Sequence, residues 1–281
     1  MQIFTINLKD YYPFLGKNNL DPTITAYLPY NLKEMGWETR KRPTIIVCPG
    51  GGYGFCSERE AEPIALKYVA NGFNAFVIDY SVAPAHFPTQ VTEIAATLEL
   101  IYENQNNWNV DTNKIAIIGF SAGGHLAAHY SNVYNCEKVR QFFPNSKPVN
   151  ATILSYPVIT SNLSQTHVGT ILNVAGKTPE TEQEFNFFSC DKQVSKNTPP
   201  TFIWHTAEDA IVPVENSLLY ASALAKNKVP FELHIYPLGV HGLSVCDSTV
   251  YNKEQLSQAT SYNKNWLEHS LNWLKLTFQL D

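Results

Sequence analysis

The stretch Lys114–His125, KIAIIGFSAGGH, decides how the rest of the chain is read. Ile115 to Ile118 form a short run of β-branched and small apolar residues, the mark of a buried strand. Gly119-Phe120-Ser121-Ala122-Gly123 follow, and Gly124, His125, Leu126, Ala127 and Ala128 have the character of the first turns of a helix. Strand, sharp turn and helix in immediate succession put Ser121 in the turn with its hydroxyl clear of the sheet, as a nucleophilic serine requires. Glycines on both sides let the two backbones pass close together. The N–H of Ala122, at the helix N-terminus, then faces the same space and can stabilise negative charge on an attacked carbonyl oxygen. A dinucleotide-binding turn would need Gly where Ser121 stands, and a phosphate loop would need Gly-Lys-Ser/Thr; neither pattern is present.

Working outward, strand and helix signals alternate. Pro43–Cys48 is an apolar strand that runs into Pro49-Gly50-Gly51-Gly52-Tyr53-Gly54, where bare backbone could bring N–H groups up to a ligand oxygen. Together with Ser121, this loop is the expected source of a second oxyanion donor. Ser57-Glu58-Arg59-Glu60 has the spacing of a capping box, predicting a helix to about Asn71-Gly72 and a structural role for these charges. Asn74–Tyr80 is the next strand. It is followed by a helix with Val91, Ile94, Ala95, Leu98, Ile101 and Tyr102 on one face. Ala151–Tyr156, Thr201–His205 and Phe231–Tyr236 are further strands, Val214–Ala225 is a helix, and Leu267, Leu271, Leu274 and Phe278 stand at helical spacing. Upstream, Ile24–Leu28 alternates as a strand opening or edging the sheet would. The fold class is therefore α/β: a mainly parallel central sheet with helices on both faces. Between about 160 and 197 periodicity fades and polar residues dominate, predicting an irregular excursion over the strand ends, a small cap. Its Phe185, Phe187 and Phe188 are expected to pack against the domain.

The length of 281 residues suits one α/β domain spanning 1–281. A net charge of −5 without any lysine or arginine block excludes nucleic acid and anionic membranes as expected partners, leaving a small, roughly neutral molecule. Five scattered cysteines lack disulfide or zinc spacing, so free thiols and no metal are expected. No leader or membrane span is evident, which predicts a soluble, cytoplasmic protein.

An activated serine needs an imidazole to take its proton and an acid to hold that imidazole. His234 lies within a strand, His269 on the terminal helix, His205 at the end of a strand, and His125 and His129 on the helix after Ser121, all more easily structural. His241 stands in a glycine-flanked loop, Gly239-Val240-His241-Gly242, just beyond a strand end, the edge where parallel sheets bind ligands. For the acid, Asp209 follows the strand Thr201–His205 and gives the order Ser, Asp, His. Glu208 is its rival, and since Ala210-Ile211-Val212-Pro213 resemble a rigid turn into a helix, a carboxylate at 209 could also merely cap that helix.

The segments CPGGGY, SEREAEPIA, GFSAGGHLAA, PPTFIWHTAEDAIVP and GVHGLS resemble α/β-hydrolase carboxylesterases, and more narrowly the bacterial acetyl-xylan-esterase-like sugar hydrolases, over about Pro43 to the C-terminus. The resemblance implies an α/β-hydrolase fold, with Ser121 as nucleophile, His241 as base, Asp209 as acid, and the N–H groups of Gly51, Gly52 and Ala122 as oxyanion donors. It implies hydrolysis of short acyl esters, acetyl above all, of a sugar; with no leader evident, that sugar is expected to be a mono- or oligosaccharide inside the cell, and the serine mechanism requires no cofactor. Related esterases often carry His-Gly-Gly-Gly where this chain has Pro49-Gly50-Gly51-Gly52, so the bracing of the loop must differ. A serine peptidase or a formamidase-like amide hydrolase would use the same residues, and an idle hydrolase fold could serve as a binding module.

Overall fold

The structure, a computed structural model, describes residues 1–16, 21–252 and 258–280. Eight strands form one sheet: β1 (Gln2–Asn7), β2 (Thr23–Leu28), β3 (Arg42–Cys48), β4 (Asn74–Asp79), β5 (Val110–Phe120), β6 (Ala151–Ser155), β7 (Thr201–Thr206) and β8 (Phe231–Tyr236). Their spatial order is β1-β2-β4-β3-β5-β6-β7-β8. β1 and β2 pair antiparallel at one edge, β2 pairs antiparallel with β4, and every later pairing is parallel. The chain starts its parallel sheet at β3, adds β4 on one side and β5 to β8 on the other. β3 and β5 thus lie side by side although 61 residues separate Cys48 from Val110 in sequence numbering, and their C-terminal ends meet in register at Cys48 and Gly119.

The apolar runs have no polar alternation because both sheet faces are covered. On one face Ile46, Cys48, Ile115, Ile117, Leu154 and Ile203 pack against α2 (Thr89–Glu103), α3 (Ala122–Val133) and α8 (Glu215–Lys226). On the other, their neighbours Ile45, Val47, Ala116, Ile118, Ile153 and Phe202 pack against α1 (Glu62–Val69) and α10 (Asn265–Phe278). The period of two in each strand is intact; only its polar half is missing. Smaller helices are α4 (Glu137–Arg140), α5 (Val168–Ala175), α6 (Glu182–Phe188), α7 (Cys190–Gln193) and α9 (Gln258–Asn263).

Two expectations need correction. Ser57 makes no capping bond: Glu58–Glu60 is a 3-10 turn, Ala61 breaks the chain direction, and the helix begins at Glu62 with Pro63 in its first turn. The segment 160–197 is not irregular, for it holds α5, α6 and α7. α6 is opened by a complete capping box in which Thr181 accepts from the Glu184 N–H and the Glu184 carboxylate accepts from the Thr181 N–H. Phe187 and Phe188 pack on Phe87 and His129, as their apolar character requires.

Candidate active site

Ser121 sits between β5 and α3 with φ 54° and ψ −117°, outside the regions an L-residue prefers. Three backbone bonds hold this strained turn: the Ser121 N–H donates to Ser155 O at 3.0 Å, and the N–H groups of His125 and Val158 each donate to Ser121 O at 3.1 Å. The flanking glycines are required by contact. A Cβ on Gly119 would lie 2.1 Å from Gly123 O, and one on Gly123 would lie 2.2 Å from Cys48 O and 2.3 Å from Pro49 O. The elbow is thus wedged against the end of β3, beside the glycine-rich loop.

His241 Nε2 lies 2.8 Å from Ser121 Oγ, and His241 Nδ1 lies 2.6 Å from Asp209 Oδ2. The carboxylate only accepts, so Nδ1 carries the proton and Nε2 presents its lone pair to the serine hydroxyl. The Asp209 side chain is fully buried and that of His241 is 16% exposed, so the carboxylate is shielded while the imidazole can be reached from outside. Burial alone would raise the Asp209 pKa. Hydrogen bonds from His205 and His241, the charge on His241 and the N–H of Val212 outweigh it and hold the carboxyl well below the usual range.

The two oxygens of Asp209 meet different partners, and neither caps α8, which starts at Glu215 after Val214 without a side-chain capping bond. Oδ1 accepts the N–H groups of Ile211 and Val212, each at 2.9 Å, and fixes the turn toward α8; Oδ2 is left for His241. Glu208 is exposed, and among the described residues its Oε2 reaches only the Gly239 N–H, at 3.3 Å. His205 proves more than a strand residue. Its Nε2 faces two acceptors, Asp209 Oδ2 at 3.2 Å and Val212 O at 3.0 Å, so Nε2 bears the hydrogen, while Nδ1 accepts from Ser217 Oγ at 2.8 Å. Asp209 is therefore clamped from two sides by imidazoles.

The loop after β3 is folded on itself. Gly51 has φ 125°, and a Cβ there would lie 2.0 Å from Phe55 O, so only glycine fits. The N–H groups of Gly54 and Phe55 donate back to Gly51 O. Among the described residues the N–H groups of Gly51, Gly52 and Ala122 have no hydrogen-bond acceptor. Three unpaired amides on the two segments that meet at Ser121 are what an oxyanion site requires.

Pro49 does not leave this loop unbraced. Its carbonyl accepts the Tyr80 hydroxyl at 2.7 Å, the Gly50 N–H donates to Glu60 Oε2 at 2.8 Å, and Asn173 of α5 donates to Gly52 O at 2.8 Å. Tyr53 donates its hydroxyl to His125 Nδ1 at 3.0 Å, because His125 Nε2–H is committed to Phe188 O at 2.9 Å. Burial pushes the His125 pKa down to about 4, so it stays neutral and serves as a brace. His167, at the start of α5, packs on Gly52 and has its pKa lowered by burial and by the nearby His241. Glu60, Tyr80, Tyr156, Asn173, His167 and the acid-clamping role of His205 carry no sequence signal, since each bond joins distant segments without a recurring spacing.

The BD-FAE family model matches residues 31–224, about two thirds of the chain. The chain belongs to the BD-FAE family. Endo-1,4-beta-xylanase B of Butyrivibrio fibrisolvens is 39% identical over 221 residues, covering 75% of this BD-FAE chain and 34% of that protein. The acetylxylan esterase of Xylanibacter ruminicola is 28% identical over 269 residues, covering 94% of this chain and 50% of that one. The chain thus spans half or less of the length of these two relatives. Among solved structures, an acetyl ester-xyloside bifunctional hydrolase from Caldicellulosiruptor lactoaceticus superposes with a TM-score of 0.82 at 32% identity, over 99% of this chain and 97% of that one. Such a match over nearly the whole of both chains establishes the α/β-hydrolase fold for this BD-FAE protein. No helix among the described residues is long and apolar enough to cross a membrane.

Proposed function

We propose that this protein is a serine esterase that removes short acyl groups, chiefly acetyl, from small sugars or oligosaccharides. The observation that carries the reading is the unbroken line of hydrogen bonds from Ser121 Oγ through His241 to buried Asp209, set on a strained elbow beside three unpaired amides. His241 Nε2 takes the hydroxyl proton as Ser121 Oγ attacks the ester carbonyl; the oxyanion is held by the N–H groups of Gly51, Gly52 and Ala122. His241 gives that proton to the departing alcohol, leaving an acyl group on Ser121. Water then loses a proton to His241, attacks the acyl carbonyl, and the proton returns to Ser121 as the carboxylic acid leaves.

The acetyl preference draws on two supports. The relatives named above include an acetylxylan esterase and an acetyl ester-xyloside hydrolase. The helices of the 160–197 segment, α5 to α7, are at most eight residues long, which supports a site without a broad apolar lid. Forcing extra methylenes into a filled pocket costs about 1 to 3 kcal/mol, so acetate esters should outpace octanoate by about ten-fold or more. Measuring kcat/KM on nitrophenyl acetate, butyrate and octanoate, with acetate release from acetylated xylo-oligosaccharides, tests this. Ser121→Ala should lose about a million-fold in kcat. Faster turnover of octanoate, or no acetate from any acetylated sugar, would refute the substrate class. Near-normal turnover by Ser121→Ala would refute the nucleophile.

A further inference from the structure

Glu60 has no part in the proton transfers above, yet it is buried at 3% exposure between the two segments that must cooperate. Its Oε2 accepts the N–H of Gly50, the residue before the proposed donors Gly51 and Gly52, at 2.8 Å. Its Oε1 accepts the Tyr156 hydroxyl at 2.7 Å, and that hydroxyl accepts the N–H of Ser244, three residues beyond His241, at 2.9 Å. The Tyr156 ring stands edge-on to His241 with centroids 5.0 Å apart. Ser244 is fixed further by its hydroxyl donating to Arg59 O and by Trp266 Nε1 donating to Ser244 O at 2.9 Å. One carboxylate therefore touches the glycine loop directly and the histidine loop through a single tyrosine.

We propose that Glu60 is a positioning residue that, with Tyr156, locks the oxyanion loop and the His241 loop into one register and places a negative charge near the imidazolium formed during acylation. The inference rests on the reading of Ser121, His241, Gly51 and Gly52 given above. Two donors facing two oxygens is the pattern of an ionised carboxylate, which accepts both bonds with neither partner having to reverse its role. The ionisable groups around it are Arg59 and His241, both favouring the charged form, and the hydroxyls of Tyr156, Tyr80 and Tyr251. Burial nonetheless raises the Glu60 pKa above its ordinary value, against the bonds from Tyr156 and Gly50 and the charges of His241 and Arg59. Acid should therefore disable the site twice: one proton on His241 removes the base, and one on Glu60 unties the loops.

Glu60→Gln, Glu60→Asp and Tyr156→Phe, assayed on nitrophenyl acetate from pH 4 to 9, test the proposal. Glu60→Gln should lower kcat by about 10- to 100-fold with KM within about three-fold, since misplaced donors weaken the transition state more than substrate binding. The acid limb of the wild-type kcat/KM profile should steepen toward a slope of two, and that of Glu60→Gln should keep a slope of one. Glu60→Asp, too short to reach both partners, should not rescue kcat. Tyr156→Phe should reproduce part of the kcat loss while keeping the Gly50 bond. If the variants lower only the melting temperature, with kcat and the acid limb as in wild type, Glu60 is structural and the proposal fails. Should Glu60→Gln not fold, an unchanged kcat in Tyr156→Phe overturns it equally. Organophosphonate labelling of Ser121 in each variant separates this outcome from a wrong nucleophile, since the label should slow with kcat but still map to Ser121.

Discussion

At the scale of single residues, the site divides into groups that face substrate and groups that hold those groups still. Asp209, fully buried, is of the second kind and acts twice: one oxygen fixes the turn through Ile211 and Val212, the other meets His241. Asp209→Asn should keep the turn yet lose about ten-thousand-fold in kcat, because an amide can donate to Nδ1 and so favours the wrong tautomer. Glu208→Gln should stay within about two-fold, as its carboxylate is exposed and among the described residues reaches only the Gly239 N–H. The opposite ranking in kcat would move the acid to Glu208. Ser121, Asp209 and His241 were legible because each lies in a short local pattern at a strand end. Glu60, Tyr156 and His205 were not. Tyr156 meets Glu60 across 96 positions, and nothing in either neighbourhood encodes that meeting.

At the scale of elements, the strands and the helix starts after Ser121 and near Val214 are legible in the sequence, whereas the helix start at Ser57 is not. A strand buried on both faces announces itself through residues such as Ile45–Cys48 and Ile115–Ile118, whatever its partners. A capping box is only a spacing of polar residues, and its outcome depends on where else the carboxylate can go. At Ser57 the Glu60 side chain turns inward to Gly50 and Tyr156, so the box never closes. At Thr181 the Glu184 side chain meets only neighbours of the cap itself, Lys177 and the Glu180 N–H, and the box closes. Thr181→Ala should therefore weaken amide-exchange protection in α6 by about 1 kcal/mol, whereas Ser57→Ala should leave α1 protection within about 0.5 kcal/mol of wild type. A larger loss in α1 than in α6 would contradict this account of both helix starts.

At the scale of the whole molecule, buried ionisable groups make stability depend on pH in two opposed senses. His125 has its pKa lowered by burial to about 4, so between about pH 6.5 and 4 the unfolded chain binds a proton the folded one refuses; its share of stability is lost as pH falls through that window. Glu93 has its pKa raised by burial to about 7, against hydrogen bonds from Ser81, so between its ordinary value and about pH 7 the folded chain binds the extra proton and its share is lost as pH rises. Glu93→Gln should accordingly gain stability relative to wild type on going from pH 5 to 8, and the destabilisation by His125→Gln should shrink from pH 7 to 4. Urea midpoints at those pH values check both signs, and a pH-independent difference in either variant would show that its group does not titrate as stated. The wedge of Gly123 against Cys48 and Pro49 has a bearing on time as well as space. Because the elbow and the end of β3 pack directly on each other, a chain in which they have not met carries an ordinary serine away from the Gly51 and Gly52 amides. Hydrolytic power should then return during refolding with the rate constant of tertiary packing and never ahead of it, so that a nascent chain cannot acylate itself on passing esters.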